Sequence, residues 1–551
     1  MDRIRKALVR AEWQPLLFGS ASRARLLECI PDWPCRPLRL RVHSNHGFAA
    51  VASALPAYAA WNDLALEVAA STNNNALSFD LESEADVELI WLDLARLTGL
   101  DPRELPFWLI SRLRALRRET TNPIVCLLLP LTDPTATAIR GAGIPGVHIG
   151  DLGSLAAELG DDWLDARMAS LAGTMLSQYA SLMVARALAC RWLPACALPP
   201  IKAIALDLDG TLFAGILDED GVDGIRLTAG HRVLQERLAE LRAGGIYLAL
   251  VSRNVDTEVE ALFAARPDFP LRLSDFSSTR ISWNEKSTAL QGIADELRIA
   301  PTALVFVDDN PGELASVASE LPVVSVHARP DGHETWAALS HVAGVFRWHR
   351  TSEDGLRVSD LRASVHRMSL ASDTLSPAEY LRSLKVNLGY RINQRDEVGR
   401  IHDLLRKTNQ FNLALRRLGE AELGRRMDQS NHRLITVSLS DRLSDSGIIA
   451  VVVAARDDDT LIIEELCLSC RALGRRLEDT LLTEALRRVA EGWAPSRVMF
   501  SVRCGPRNEP ARRWLASYLE AVQDVTTDVT VPFAVIREKP INDAVGIETL
   551  Q

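Results

Sequence analysis

Short apolar runs alternate with amphipathic stretches through the first part of the chain. Three of the runs have the apolar content of buried strands, at 37–44, 87–94 and 123–130. Residues 104–119 carry apolar side chains at helical spacing, and a longer helical pattern covers 162–188. The second pattern should end at the prolines of 193–200, because proline breaks a helix interior. We therefore predict a small α/β domain over residues 1–160 and a helical linker over 161–200.

The next stretch has the pattern of a parallel sheet covered by helices on both faces. Nearly continuous apolar runs occur at 202–208, 246–252 and 303–309. Helical patterns separate these runs, as in alternating strand and helix units. We predict an α/β domain of the Rossmann-like type over residues 201–350.

The last third of the chain has a different rhythm. Residues 447–469 have the pattern of two antiparallel strands joined by a DDDT turn, and an amphipathic helix should follow from about residue 471. We predict an α+β domain over residues 375–540, so the whole chain should be an α/β protein of three domains. Its length of 551 residues agrees with several domains.

Composition and charge exclude some classes of function. Hydrophobic residues make up 47% of the chain and charged residues 24%, which is typical of a globular protein. The net charge of −10 argues against a general nucleic-acid partner. There is no apolar run of the roughly 18 residues that a membrane span needs, and the first residues lack a secretory pattern. The eight cysteines show no metal-ligand spacing, so we expect a cytoplasmic protein with reduced thiols and no membrane partner.

Polar residues follow three strands of the middle domain at their carboxyl ends, where open α/β sheets bind ligands. They are Asp207 and Asp209, then Ser252, then the pair Asp308 and Asp309, with Lys286 between the second and third groups. One carboxylate could attack phosphorus while another protonates the leaving oxygen. Oxygen ligands suit a hard cation such as Mg²⁺. Each piece alone is more often a surface or turn feature, but all occur in order.

This order and spacing resemble the four motifs of the haloacid-dehalogenase (HAD) superfamily. The resemblance implies Asp207 as the nucleophile and Asp209 as the acid/base. It implies that Thr211 and Ser252 position the phosphoryl group and that Lys286 stabilises it. It also implies Mg²⁺ as cofactor, held by Asp207, the carbonyl of Asp209, and Asp308, with Asp309 assisting. The gaps on either side of Ser252 are too short for a cap domain, so we expect a site that is open or covered by neighbouring domains.

The middle and last domains together resemble FkbH-like proteins over residues 165–535. The similar segments are DLDGTLFAGILDEDGVDGIRL, RISWNEKS, VFVDDNPGE, KTNQFNLALRR and LSCRALGRRLE. The resemblance implies dephosphorylation of 1,3-bisphosphoglycerate and transfer of its glyceryl group to the phosphopantetheine thiol of an acyl carrier protein for polyketide-type biosynthesis. The chain departs from the family at Gly210, usually Asn, at Phe213, usually Trp, and over 441–447, so its acyl substrate could differ.

The last domain also resembles the GNAT acyltransferase fold, which implies a phosphate-binding turn with Arg471 and Gly474 as its first arginine and glycine. The chain departs from that turn at Arg476, which argues against coenzyme A but still suits the phosphopantetheine arm of a carrier. Arg471, Arg475 and Arg476 could also contact an acidic carrier surface, or they could form a solvated helix face. Cys470 is our candidate for a thiol that carries the acyl group, and the alternative is a small buried residue. Asn409, Gln410 and Asn412 could bind a hydroxylated acyl group, or they could form caps and turns.

The first domain resembles a degenerate SGNH-hydrolase-type fold and is expected to be non-catalytic, because Ser44 between His43 and His46 has no assignable acidic partner. Two other functions stay open for the whole chain. One is a stand-alone HAD phosphatase whose last domain only recognises substrate. The other is a non-catalytic docking protein of a biosynthetic complex.

Overall fold

The chain folds into two compact units, Met1–Arg350 and Thr351–Gln551. The computed structural model describes residues 2–19, 22–70, 79, 83–130, 134–349, 355–356, 360–361, 363, 367, 370, 377–469, 471–473, 475–520 and 525–550. No helix in these ranges is both long and apolar enough to span a membrane.

The first unit begins with a five-stranded parallel sheet in the order β2-β1-β3-β4-β5. Its strands are β1 Arg36–Ser44, β2 Leu64–Ala70, β3 Val87–Asp93, β4 Ile124–Leu129 and β5 Val147–Ile149. Its helices are α1 Asp2–Phe18, α2 Arg23–Leu26, α3 Ala49–Ala52, α4 Leu55–Ala60, α5 Leu105–Glu119, α6 Pro134–Gly141 and α7 Leu152–Leu159. The predicted strands correspond to β1, β3 and β4, and the predicted helix to α5.

The predicted single helix over 162–188 is wrong. This region forms α8 Met168–Ala172, α9 Gln178–Ala187, a π-helical turn Leu188–Trp192 and α10 Leu193–Ala197. Gly173, with a left-handed φ of 68°, ends α8, and the Ser177 hydroxyl accepts a hydrogen bond from the Ala180 N–H to start α9. α9 is largely buried, so this segment belongs to the core and is more than a connector.

The second sheet of the first unit is also parallel, in the order β10-β9-β6-β7-β8. Its strands are β6 Ala203–Leu206, β7 Tyr247–Ser252, β8 Ser278–Ile281, β9 Leu304–Asp308 and β10 Val324–His327. Its helices are α11 Leu217–Gly224, α12 Ala229–Ala243, α13 Asp256–Ala265, α14 Lys286–Glu296, α15 Pro311–Glu320 and α16 Gly332–Leu339. Residues 207–286 are all described and contain α11, α12, α13, β7, β8 and a 3-10 turn at Leu273–Asp275, with no cap domain.

One apolar core runs through both sheets of the first unit. Helix α1 lies against the second sheet, where the Gln14 Nε2 donates to the carbonyl of His327 at 2.6 Å and the His327 N–H donates back to Gln14 Oε1 at 3.1 Å. Asn62 makes the same two-way amide contact with His341 and Ala343. The predicted regions 1–160 and 201–350 therefore fold as parts of one unit.

The second unit is a mixed seven-stranded sheet in the order β16-β15-β14-β13-β12-β11-β17. Its strands are β11 Asn387–Ile392, β12 His432–Ser440, β13 Asp445–Asp457, β14 Thr460–Leu468, β15 Arg497–Phe500, β16 Val529–Pro532 and β17 Gly546–Thr549. Its helices are α17 Pro377–Leu384, α18 Val398–Lys407, α19 Glu420–Asp428, α20 Glu478–Ala490, α21 Glu509–Tyr518 and α22 Phe533–Glu538. The predicted hairpin is confirmed as β13 and β14, and the predicted helix after it begins only at Glu478.

Candidate active site

The polar residues predicted from strand ends meet at one edge of the second sheet. β6 lies between β7 and β9, so Asp207, Ser252 and Asp308 leave three neighbouring strands on the same side. Lys286, the first residue of α14, places its Nζ 2.9 Å from Asp207 Oδ1 and 2.6 Å from Asp308 Oδ2. The side chains of Asp207, Ser252, Lys286 and Asp308 are buried, that of Asp209 is partly buried, and that of Asp309 is exposed. The sequence therefore identified a set of groups that the fold brings into contact.

Burial and mutual repulsion control the charges of this cluster. Burial raises the pKa of Asp207 to about 7, against the opposing effect of the Lys286 ammonium. Burial and the neighbouring Asp308 carboxylate raise the pKa of Asp309. Burial alone would lower the pKa of Lys286, but the carboxylates of Asp207 and Asp308 outweigh it and raise that pKa. A further cation at this edge would stabilise the ionised carboxylates.

Three carboxylates of the cluster fit a divalent cation. Oxygen atoms of Asp207, Asp308 and Asp309 all lie within 4.8 Å of one another. The backbone at Gly210 approaches this group closely, because a Cβ there would lie 2.3 Å from Asp309 Oδ2. Gly210 also has a φ of 63°, a left-handed conformation that glycine adopts without strain. Hard oxygen ligands at this spacing suit Mg²⁺.

The Asp209 carboxylate is held by two donors. The Leu217 N–H donates to its Oδ1 at 2.8 Å, and Asn254 Nδ2 donates to its Oδ2 at 2.7 Å. Asn254 is buried and also donates to Ser252 Oγ at 2.9 Å. Sequence reasoning missed Asn254, and the available signal was its position two residues after Ser252. The Asp207 carboxylate thus contacts Lys286, whereas the Asp209 carboxylate is held by Leu217 and Asn254.

Thr211 and Ser252 supply hydroxyls at the base of the site. Both are almost completely buried. The Thr211 Oγ1 has no hydrogen-bond partner among the described residues, so its hydroxyl can serve a ligand. Ser252 Oγ accepts from Asn254 and keeps its own proton for donation. Both positions agree with groups that would contact phosphoryl oxygens.

The loops around the site expose large apolar side chains. Ile216, Val255 and Trp283 are 44%, 45% and 68% exposed, and they lie next to Leu217, next to Asn254 and three residues before Lys286. These apolar side chains flank the site residues in the sequence, and residues 207–286 add no cap domain, as the short gaps predicted.

The serine of the first sheet has no catalytic partner among the described residues. The Ser44 hydroxyl donates to the carbonyl of His46, and the ring of His43 contacts Glu88 at 2.9 Å inside the core. His46 is stacked on Trp91 at 4.6 Å, and burial lowers the pKa of its ring to about 3. This edge therefore shows no serine–histidine pair.

The predicted residues of the second unit that the structure describes have different environments. Asn409 and Gln410 are exposed, whereas Asn412 is buried and its Oδ1 accepts the Leu415 N–H at 2.8 Å in a turn. Arg471 is described and partly exposed. Cys470 and Gly474 lie outside the described residues.

Arg475 belongs to a network of buried ion pairs. Its guanidinium contacts Asp360 at 3.1 Å and Asp441 at 3.3 Å, and Arg367 contacts the same two carboxylates at 3.2 and 2.8 Å. All four side chains are at most 10% exposed. Two positive and two negative charges thus neutralise one another in the interior of the unit.

The segment 411–413 of the KTNQFNLALRR motif lies along the edge of β14 beyond its pairing with β15. The Leu413 N–H donates to Leu466 at 3.1 Å, the Leu468 N–H donates to Phe411 at 2.9 Å, and the Arg503 N–H donates to Leu413 at 3.0 Å. Because β14 and β15 pair only over Thr460–Ile463, this segment fills the gap between them. The motif therefore supplies main-chain structure that residue-type reasoning did not predict.

No protein-family model matches the chain, and no curated protein sequence matches it. Three solved structures illustrate the likenesses that exist. The N-terminal part of BF1531 from Bacteroides fragilis, containing a phosphatase domain complexed with Mg, is 17% identical with a TM-score of 0.48, over 60% of this chain and 99% of that one. A HAD family enzyme from Bacteroides thetaiotaomicron, in complex with magnesium and inorganic phosphate, is 14% identical with a TM-score of 0.20, over 24% of this chain and 95% of that one.

The third is spermidine N-acetyltransferase from Vibrio cholerae, in complex with CoA and spermine. It is 12% identical with a TM-score of 0.21, over 27% of this chain and 98% of that one. Because the identities and TM-scores are all low, these likenesses assign neither a family nor an activity to the chain.

Proposed function

We propose that the chain is a Mg²⁺-dependent HAD-type phosphotransferase that dephosphorylates a phosphorylated three-carbon acid, 1,3-bisphosphoglycerate or a similar compound, and passes the glyceryl group to an acyl carrier protein. The observation that carries the first half is the cluster in which Lys286 bridges Asp207 and Asp308, with Asp209 oriented beside them. The second half is supported by the FkbH-like motifs of the second unit.

Asp207 and Asp209 divide the phosphotransfer chemistry. An Asp207 oxygen attacks the ester phosphorus, the bond from phosphorus to the substrate oxygen breaks, and Asp209 gives that oxygen a proton. Asp209 then takes a proton from water, which attacks the aspartyl phosphate and releases inorganic phosphate. Thr211, Ser252 and Lys286 contact the phosphoryl oxygens. Asp207, Asp308, Asp309 and the carbonyl of Asp209 would hold Mg²⁺, which offsets the negative charge of the phosphoryl group.

The acyl phosphate at carbon 1 keeps the glyceryl group activated for transfer. A thiolate attacks that carbonyl carbon, the bond to the phosphate oxygen breaks, and a second phosphate leaves. One bisphosphate, one water and one thiol thus give one glyceryl thioester and two phosphates. The accepting thiol is the phosphopantetheine of the carrier, with Cys470 proposed as an enzyme thiol on the way.

The test is intact-protein mass spectrometry of a discrete, phosphopantetheinylated acyl carrier protein. The carrier is incubated with the full chain, Mg²⁺ and 1,3-bisphosphoglycerate, beside an Asp207→Asn control. We expect a glyceryl mass on the carrier with the wild-type chain only. Asparagine is close in size to aspartate but is not a nucleophile towards phosphorus, so the control isolates the phosphotransfer step.

The other outcomes separate the alternatives. Phosphate release without added mass on the carrier or on the enzyme would leave a stand-alone phosphatase. Absence of both phosphate release and added mass would contradict the proposal and favour a docking protein. A cluster of two buried carboxylates and a buried lysine, with the exposed Asp309 carboxylate beside it, argues against simple docking, since buried charge destabilises a fold.

A further inference from the structure

The second unit contains a polar cavity on one face of its sheet. Alternate residues of a strand face the same side, and here Asn387 and Arg391 of β11, Ser438 of β12 and Glu548 of β17 line a cavity of about 440 Å³. The opposite face, with Leu388 and its neighbours, packs in the apolar core. A volume of this size is typical of small-molecule sites.

The base of the cavity is built from buried polar groups. Glu397 is 6% exposed, and its carboxylate accepts from the Thr436 hydroxyl at 2.5 Å and pairs with Arg391 at 2.9 Å. Thr436 is 4% exposed. These contacts fix the direction of the carboxylate. An acceptor held in this way can bind a ligand hydroxyl without rearrangement.

The net charge of the residues that line the cavity favours uncharged ligands over anionic ones. Asp445, Glu548 and Glu397 contribute three carboxylates, and Arg391 is the one cation among the described lining residues. Glu397 pairs with Arg391, and with three carboxylates against one guanidinium the described lining has a negative net charge. A phosphoryl group carries close to two negative charges near pH 7 and would be repelled. A neutral ligand with hydroxyls would find acceptors in the carboxylates and further partners in Ser438 and Ser440.

We propose that this cavity binds a short, uncharged, hydroxylated acyl group after its phosphate has been removed, and that it rejects the phosphorylated precursor. This inference rests on the proposed function, in which such a group arises at the first unit. The order of events is then set by charge, because only the dephosphorylated group can enter the second unit's cavity. The chain departs from the FkbH-like pattern over residues 441–447, and this segment supplies Asp445 and Gly447 to the wall of the cavity. The departure therefore lies where the cavity would contact the acyl group.

The test measures binding of three inert amides by ligand-observed NMR. They are the N-acetyl-ethylenediamine amides of glyceric acid, of propanoic acid and of 3-phosphoglyceric acid, which differ only in hydroxyls and phosphate. The protein is the full chain carrying Asp207→Asn, so that the phosphorylated amide survives, and saturating inorganic phosphate with Mg²⁺ is present to occupy the phosphate site of the first unit. We expect the propanoyl and phosphorylated amides to bind at least about tenfold more weakly than the glyceryl amide.

Charge-neutral variants test the rejection by a gain of binding, which misfolding cannot imitate. Asp445→Asn with Glu548→Gln should strengthen binding of the phosphorylated amide, and Asp457→Asn, an exposed carboxylate outside the cavity, should not. Equal binding of all three amides, or no change in the double variant, would overturn the inference. Binding needs no transfer, so a failed carrier assay beside the expected binding order would count against the proposed function alone.

Discussion

Asn254 holds the proposed acid/base without touching the attacking carboxylate. We expect Asn254→Ala to lower kcat roughly 10- to 100-fold while KM changes little, because Asp209 would lose one of its two donors and its orientation. The loss should be larger for glycerol 3-phosphate than for p-nitrophenyl phosphate, since nitrophenolate leaves without a proton. Gln291→Ala, a half-buried amide on α14 that donates to Asp295 at the surface, is the matched control. An equal loss on both substrates would contradict the assigned role.

Gly210 is the other residue whose role becomes visible only in the fold. Gly210→Ala should raise the Mg²⁺ concentration needed for half-maximal phosphatase activity about tenfold, because its Cβ would displace the Asp309 carboxylate. The measurement is a Mg²⁺ titration of phosphate release. An unchanged titration curve would show that Asp309 does not contribute to Mg²⁺ binding.

Sequence could predict the ionic groups of the site but not the groups that orient them. Asp207 and Asp308 lie at the ends of predicted strands, and Lys286 begins a helix. The alternation of strands and helices predicts that these residues meet at one edge of the sheet. Asn254 and the close approach at Gly210 depend on how loops fold over that edge, which no local pattern encodes. In the second unit, residue type suggested a ligand role for Asn412 and Arg475, whereas burial gives them turn and ion-pair roles.

At the scale of elements, Glu465 links β14 to the segment that fills the gap beside it. Its carboxylate accepts the N–H groups of Ala414 and Leu466, each at 3.2 Å, and of Arg416 at 2.8 Å. Burial raises its pKa from 4.5 to about 6. A raised pKa in the fold means that the stability contribution is complete below pH 4.5 and is lost as pH rises through 6, by about 2 kcal/mol.

Hydrogen exchange measures this dependence locally. Peptides covering 411–417 should lose protection between pH 4.5 and 7 after correction for intrinsic rates, and Glu465→Gln should flatten the dependence. Protection that is independent of pH in the wild-type chain would contradict it.

The elements that sequence predicted are those with long, unmixed patterns. β13 and β14 were predictable as a hairpin, because two long apolar runs flank a turn. β5 has three residues and β8 and β10 have four each, too few for a period to appear. The break at Gly173 was hidden because the residues on both sides of it continue a helical apolar pattern.

At the scale of the molecule, the phosphatase activity should belong to the first unit as a whole. A fragment of residues 1–350 should hydrolyse glycerol 3-phosphate at a rate close to that of the full chain, since the site and its supporting core lie within this unit. A fragment of residues 201–350 should be unstable, because it loses α1 and the apolar residues that complete the core. Activity assays with thermal unfolding followed by circular dichroism check both, and a stable, active 201–350 fragment would contradict the single core.

The contact between α1 and β10 also affects the backbone beside the candidate active site. Gln14 fixes the backbone of His327, and the ring of His327 lies 2.9 Å from the carbonyl oxygen of Asp309. Hydrogen bonds thus connect Gln14 of α1, through His327, to the backbone of Asp309, whose carboxylate lies in the proposed metal site. The effects on activity of substitutions in α1 and at Asp309 should therefore be non-additive. Replacing α1 with the first helix of a divergent homologue would then alter the site even though every reacting side chain is unchanged.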